Sequence, residues 1–467
     1  HQLDYYGDFF HFNGQLYYAN RTQGIQHWTL SGPKHAKITG DIKNSASGIF
    51  LKVYNNNNIS QTFGYADNCL YLLSQTEPGI LHARLLMSDI NLDSINIATL
   101  LFDEPHKRLF IGSYTKGLYV FSKKYFSVLR ETPSGSGKDN VYYAQAVLDS
   151  HTVITPQGTI LGLDPASGKV IAKQSKTFRP TLANRWLSCA SDNAGNIWIK
   201  DGNLLTLHDR VDQKELLHYT LPAHISRIKE GMDNNLWIGT SGDGLYSLDQ
   251  TTKTMPQHFL KIENTEITCM AHENKNVLWV GTDKGLYRVA LLSKALTKIE
   301  PTDNIYIRSL YISGAGEIWI TTYDSGFYLF KDDRLTQFLF DKKHYLQNSH
   351  CIVEDTLGYF WISTNKGLFQ LKKKDLLEYA RSRSGGDIWY NHYLSQQGFN
   401  TNEFNGGCEP CAVRLPSGYV SFPSMDGLVW FKPEETETEP PTSNIFVDKI
   451  EADGQIFDSE DEHLNIP

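Results

Sequence analysis

The sequence predicts an all-β protein, a β-propeller built from four-stranded blades. Three observations carry that expectation. A phrase centred on tryptophan recurs at intervals of 39 to 42 residues. Aromatic residues are abundant, with 25 Tyr and 23 Phe against 5 Met, and such rings suit a pleated, half-buried surface. Amphipathic helical periodicity is confined to one stretch, Lys372 to Arg383.

The repeat is the strongest of the three. It reads Asn196-Ile-Trp198-Ile-Lys, then Asn235-Leu-Trp237-Ile-Gly-Thr with Gly244-Leu-Tyr, then Val277-Leu-Trp279-Val-Gly-Thr with Gly285-Leu-Tyr. Two more copies follow, Glu317-Ile-Trp319-Ile-Thr-Thr with Gly326-Phe-Tyr and Tyr359-Phe-Trp361-Ile-Ser-Thr with Gly367-Leu-Phe. Within one copy, residues 267–272, 277–282 and 285–290 alternate as strands, and Asn274-Lys-Asn276 and Asp283-Lys284 punctuate them. A fourth, weaker strand precedes the next copy. Four strands in roughly 40–45 residues is the period of a propeller blade. A lone blade cannot bury both faces, so blades stack radially, and the tryptophan is expected between blades rather than at a binding platform.

Fainter copies extend the array, and units centred on Tyr17, Tyr71, Phe110, Thr152, Trp198, Trp237, Trp279, Trp319, Trp361 and Ser421 number ten. The formal net charge of −8 and the lack of a long Lys/Arg block argue against nucleic acid as a partner. No apolar stretch reaches the roughly 18 residues of a membrane span. Six cysteines are too few to carry a fold of this size, and Cys408-Glu-Pro-Cys411, a lone CxxC, is expected to be structural. No cofactor is expected, and no residue is assigned a catalytic or metal-binding role.

The stretch from Asp355 through Gly358, Trp361 and Gly367 resembles the two-component regulator propeller repeat. Gln397 to Asn405, Pro416 to Phe422 and Gly427 to Glu434 are similar to that family's last blade. Propellers of the family have seven blades, so ten units imply a division into three and seven. The resemblance thus implies terminal blades of a first propeller over 1–130, a seven-bladed propeller over 131–434, and a linker with the first strand of an Ig-like β-sandwich over 435–467. It further implies the periplasmic region of a hybrid two-component system, a sensor histidine kinase and response regulator of glycan-degrading gut bacteria. The implied ligand is an oligosaccharide released from a polysaccharide. The full-length protein is implied to be a homodimer with its kinase elsewhere in the chain, anchored in the inner membrane through a segment after residue 467.

Antiparallel strands bring the loop leading into the first strand and the loop joining the second and third to one face. The first set places Arg185, His224, Glu266, Tyr306 and Asn348 there; the second places Asp243, Lys284, Tyr323, Asp324 and Lys366. Side chains that vary on a repeated scaffold are where binding sites are sought. Arg185, Trp186, His224, Tyr306, Arg308, Tyr323, Asp324 and His350 are therefore the candidate ligand residues. Aromatic faces stack on sugar rings, and Arg grips a carboxylate or sulfate. Two other readings stand beside this one: a propeller glycoside hydrolase or lyase, with Glu403 and Glu409 as nominal acids, and a protein-interaction propeller. No HExxH, GxSxG or phosphate-binding loop is present.

Overall fold

The computed structural model describes residues 8–20, 24–42, 51–56, 59–131, 140–177, 187–314, 316–338, 343–382, 388–436, 449–452 and 455–458. They divide into two compact units, His1–Lys123 and Lys124–Pro467.

The first unit holds three sheets. Asp8–Phe12, Gln15–Asn20, Gly24–Thr29 and Gly32–His35 form an antiparallel meander. In the second sheet Lys52–Asn56, Gln61–Ala66, Cys69–Glu77 and Ile80–Met87 follow in order, and Lys37–Gly40 runs parallel to Ile80–Met87 at the edge. Ile97–Asp103, Arg108–Ser113 and Gly117–Ser122 make the third. Alternation supplies two cores, one around Tyr17, Leu73 and Leu81, the other around Phe63, Leu70, Leu100 and Ile111.

In the second unit six sheets carry seven blades. The six-stranded sheet is two blades joined, because one strand serves both. Gln257–Asn274 pairs through residues 257–266 with Asn235–Asp249 and through 267–274 with Val277–Thr282. Asn235–Asp249 itself turns at Gly242 and Gly244, which take φ of +86° and +84°. A Cβ on Gly244 would lie 2.4 Å from Leu260 O, so only glycine fits.

The repeated phrase now has a physical account. Trp198, Trp237, Trp279, Trp319 and Trp361 are at most 3% exposed. Trp198 packs with Leu205 of its own blade and Ile225 and Ile238 of the next; Trp237, Trp279 and Trp319 do the same one blade further on each time. The acid of the preceding turn accepts the indole N–H: Asp233 at 3.1 Å, Glu273 at 3.0 Å and Asp355 at 2.9 Å. The hydroxyl that ends the second strand closes the following hairpin. Thr240, Thr282, Thr322, Thr364 and Ser424 donate to the carbonyls of Gly244, Gly285, Gly326, Gly367 and Gly427.

The ring closes on itself. Ser127–Leu129, from ahead of the first blade, pairs with Gly427–Phe431 and becomes the fourth strand of the last blade. This strand precedes residue 131, the boundary expected from the repeat, and the units accordingly divide between Lys123 and Lys124. Phe126, fully buried, packs edge-on against Tyr393 and Phe399 and tilted against Phe431, with ring centroids 5.2, 5.1 and 4.9 Å away. The helical stretch is the helix Lys373–Ser382, which replaces a hairpin in the sixth blade and buries Leu376. Beyond the propeller, Lys449–Ala452 and Gln455–Asp458 form a hairpin. Most of the expected linker and Asn444 lie outside the described residues.

Phe126→Ala should lower the unfolding free energy by about 3–5 kcal/mol, as for a buried aromatic in mid-core. Urea denaturation checks it. A loss below about 1 kcal/mol would mean that the leading strand does not hold the ring shut.

Candidate functional site

From the first blade to the sixth, the first strands of successive blades touch one another and form the inner edge of the ring. Thr268 Oγ1, for example, donates to Ile307 O at 2.6 Å across one such junction. In the third to sixth blades each first strand shifts register after its first residue: between Ile225 and Arg227, Ile267 and Cys269, Ile307 and Ser309, and Ser349 and Cys351. A bulge leaves one residue out of the ladder and re-aims its side chain. The residues released are Ser226, Thr268, Arg308 and His350.

The loops meet on one face as strand direction requires. Ser241 N donates to His224 O at 3.0 Å, Asp283 N to Glu266 O at 3.1 Å, and Tyr323 N to Tyr306 O at 3.1 Å. Between the fifth and sixth blades this brings five candidate residues together. The Arg308 guanidinium lies 4.7 Å from the Tyr323 ring centroid, and the Tyr306 and Tyr323 rings are 6.1 Å apart. Arg308 Nη1 donates to His350 Nδ1, and His350 Nε2 donates to Asn365 Oδ1 at 2.8 Å. Burial, then the neighbouring Arg308 charge, push the His350 pKa down to about 3, so the ring is neutral. Asp324 follows Tyr323, and its carboxylate accepts from Gln347 Nε2 at 2.7 Å. Tyr323 is 57% exposed and forms the outer wall.

The remaining candidates stand apart from this group. His224 is exposed, and none of its described contacts joins it to the five. Arg185 and Trp186 lie outside the described residues.

Sequence reasoning missed what fills the centre of the ring. Phe404 to Cys411 crosses it. Phe404 N donates to Thr364 O, Asn405 N to Pro423 O, and Asn405 Nδ2 to Tyr142 O. Arg227 Nη2 donates to Gly407 O at 2.6 Å, and Glu409 N to Leu187 O at 2.8 Å. Gly406 lies against His350, where a Cβ would come 2.3 Å from Nδ1. Glu409 pairs with Lys229 at 2.6 Å, which holds that ammonium above its ordinary pKa despite burial. Cys408 and Cys411 are buried free thiols in the central core, beside Cys189 and Cys351. Hydrogen bonds with Cys351 and Cys408, then burial, hold the Cys411 thiol well above its usual pKa. The CxxC pair is thus part of a plug. Of the nominal acids, Glu409 is committed to Lys229 and Glu403 is an exposed loop residue. Among the described residues no group of three or more His, Cys, Asp or Glu could hold a metal ion, and no helix is long and apolar enough to cross a membrane.

Sequence comparison finds histidine kinase P4 of Formosa agariphila, 25% identical over 262 residues, an alignment covering 52% of this chain and 18% of that protein. Among solved structures, one described as the extracellular domain of a hybrid two-component system from B. thetaiotaomicron superposes with a TM-score of 0.56 at 17% identity. That match covers 90% of this chain and 61% of that one. The WD40 β-propeller domain of Doa1 superposes at 0.50 with 10% identity, over 67% of this chain and 97% of that domain. The two structural likenesses show the propeller fold. The chain spans only part of the length of the kinase and of the extracellular domain. No protein-family model matches it.

The neutral His350 makes a prediction for stability. Its folded pKa lies below the unfolded value of 6.5, so the unfolded chain binds the proton first as pH falls. Stability should therefore drop between pH 6.5 and pH 4 by up to about 1.4 kcal/mol per pH unit more than in His350→Asn. Urea denaturation at pH 7 and pH 5 measures this; parallel pH profiles in the two proteins would contradict it.

Proposed function

We propose that this chain is the ligand-sensing region of a hybrid two-component sensor. On this reading it lies in the periplasm, binds an oligosaccharide released from a polysaccharide, and signals across the inner membrane to a kinase and a transcriptional output. The observation that carries the proposal is the contrast between scaffold and mouth. The tryptophan recurs in five successive blades, the acid that receives its indole in three and the hairpin hydroxyl in five, while the bulged position and its flanking loops change from blade to blade. In the fifth and sixth blades they bring two tyrosines, an arginine and a neutral histidine together. Tyr306 and Tyr323 offer aromatic faces for sugar rings, and Arg308 and His350 offer polar groups for hydroxyls or acids. The relationship to a histidine kinase and the likeness to a two-component extracellular domain support the sensor reading.

The hydrolase reading loses support at Glu409, because a carboxylate held by Lys229 inside the plug is not free to serve as acid or nucleophile. Signalling requires that ligand bind one arrangement of the protein better than another, since only differential affinity shifts an equilibrium. The route we assign runs from the last blade through the Pro-rich segment to an Ig-like domain beginning near Asn444, then to a membrane segment after residue 467. The working protein on this account is a homodimer.

Calorimetry against a panel of polysaccharide-derived oligosaccharides tests the proposal. At least one should bind, and Tyr323→Ala should weaken it roughly 2- to 10-fold, the worth of one aromatic contact. Because Tyr323 is exposed, the same substitution should change folding stability by less than about 0.5 kcal/mol. If no oligosaccharide binds, or if the variant binds as tightly as the parent, the assignment of this mouth falls.

A further inference from the structure

Six ionisable Asp, Glu, Lys or Arg side chains are buried among the described residues: Asp192, Lys200, Arg227, Glu317, Asp355 and Glu409. The four acids are all satisfied. Asp192 pairs with Lys253 at 2.8 Å, Glu409 with Lys229, and Glu317 with Lys331 at 3.0 Å and Lys373 at 3.3 Å. Asp355 accepts the Trp361 indole and the amides of Leu357 and Tyr359. The two cations are different. Arg227 donates only to the carbonyls of Ser226 and Gly407, and its Nε has no partner among the described residues. Lys200 has neither an ion pair nor a hydrogen bond from its ammonium among them, and is 1% exposed.

Both residues break the repeat. Lys200 stands where other blades have Gly239, Gly281, Thr321, Ser363 and Pro423, a position that presses on the first strand of the next blade. A Cβ on Gly239 would come 2.6 Å from Ile267 of the following blade. The Lys200 side chain is thereby directed along the third blade's first strand, where the Arg227 charge acts on it. Arg227 stands where other blades have Cys269, Ser309 and Cys351. Arg308, on the bulge where other blades carry Ser226 and Thr268, likewise forms no ion pair among the described residues, where its contacts are neutral His350 and the Tyr323 ring. Burial, then the Arg227 charge, lower the Lys200 pKa to about 8, which leaves the ammonium largely charged at neutral pH. Asp201 and Glu266 act on Lys200, and Glu266 and Asp283 act on Tyr306 beside Arg227 and Arg308; none of these carboxylates forms an ion pair with any of the three cations, and Asp283 already accepts the Glu266 amide at 2.8 Å.

Burying a charge without an ion pair costs stability, and a sequence that satisfies its buried acids so completely has no structural need for two such cations. We propose that Lys200, Arg227 and Arg308 form an anion-receiving centre at the mouth of the ring, and that the ligand carries an acidic group, a carboxylate or a sulfate ester. Arg308, half-buried beside Tyr323, makes the contact; Lys200 and Arg227, behind it, supply the field. This rests on the reading of the mouth as the ligand site, and adds to it the class of ligand and two residues that the loops alone do not suggest.

The test uses the whole chain and two kinds of probe. Inorganic sulfate should raise the melting temperature of the parent more than chloride does at equal ionic strength, and the excess should vanish in Lys200→Met and in Arg308→Gln. Lys200→Met alone, without sulfate, should melt no lower than the parent, because it removes an unpaired buried charge. Calorimetry then compares a sulfated oligosaccharide with its desulfated form and an oligouronide with its carboxyl-reduced form. The charged member of one pair should bind about 10- to 100-fold more tightly, and which pair responds identifies the acid. A Lys200→Met protein that melts below the parent or fails to fold makes the lysine structural and overturns the inference. So do charged and neutral members that bind alike, which would leave the oligosaccharide reading standing. A sulfate effect lost in both variants, with no oligosaccharide bound, would keep the anion centre and sink the oligosaccharide reading.

Discussion

The pairing of Ser127–Leu129 with Gly427–Phe431 joins the two ends of about 300 residues of chain, and the second unit depends on it. A blade of antiparallel strands has apolar residues on both faces and stays folded only if a neighbour covers each. Seven blades in a row would leave the first and last with one face bare. Drawing the leading strand into the last blade turns the row into a ring and buries Phe126 and Leu129 completely. It also creates the interior that Phe404 to Cys411 crosses, held by carbonyls and amides of the blades around it. The mouth, with its bulged first strands, exists because the ring has an inner edge.

Such a scaffold separates two demands on the sequence. Trp237, Asp233 and Thr240, with their counterparts in other blades, meet the demands of packing and are therefore repeated. Arg308, His350, Lys200 and Arg227 occupy positions where the repeat asks for something small or neutral. Departures of this kind cost stability unless compensated. His350 is compensated by Arg308 and Asn365, and Lys229 by Glu409, whereas Lys200 has no ion pair or hydrogen bond with a described residue and feels Glu266 and Asp201 only at a distance.

Much of the fold was legible because tryptophan is large and its environment demanding. Trp198, Trp237, Trp279, Trp319 and Trp361 mark the blades by their spacing alone, and the turn acids that receive the indoles of Trp237, Trp279 and Trp361 stand beside them in the chain. Ser127-Val-Leu129 was not legible as a strand of the last blade. Three residues carry no period, and their partner lies some 300 positions away. The loops pointed to Tyr306, Arg308, Tyr323, Asp324 and His350, which the structure brings together, since strand direction fixes which loops share a face. They also led to His224, which has the right place in its own blade but no described contact with the group. Lys200 and Arg227 were passed over because they lie within strands, where a single polar residue reads as an outward-facing position. The signal was there in Ile197-Trp-Ile-Lys200: the one strong copy with lysine where a small residue belongs.

The central claim is that the mouth of the ring, and not its outer strands, receives ligand. Hydrogen–deuterium exchange of the whole chain, with and without a saturating acidic oligosaccharide, tests it most directly. The account predicts slowed exchange in peptides covering residues 305–309, 322–325 and 347–351, with the outer strands Val170–Gln174 and Glu215–Thr220 unchanged. Protection confined to those outer strands, or to residues 8–122, would contradict it.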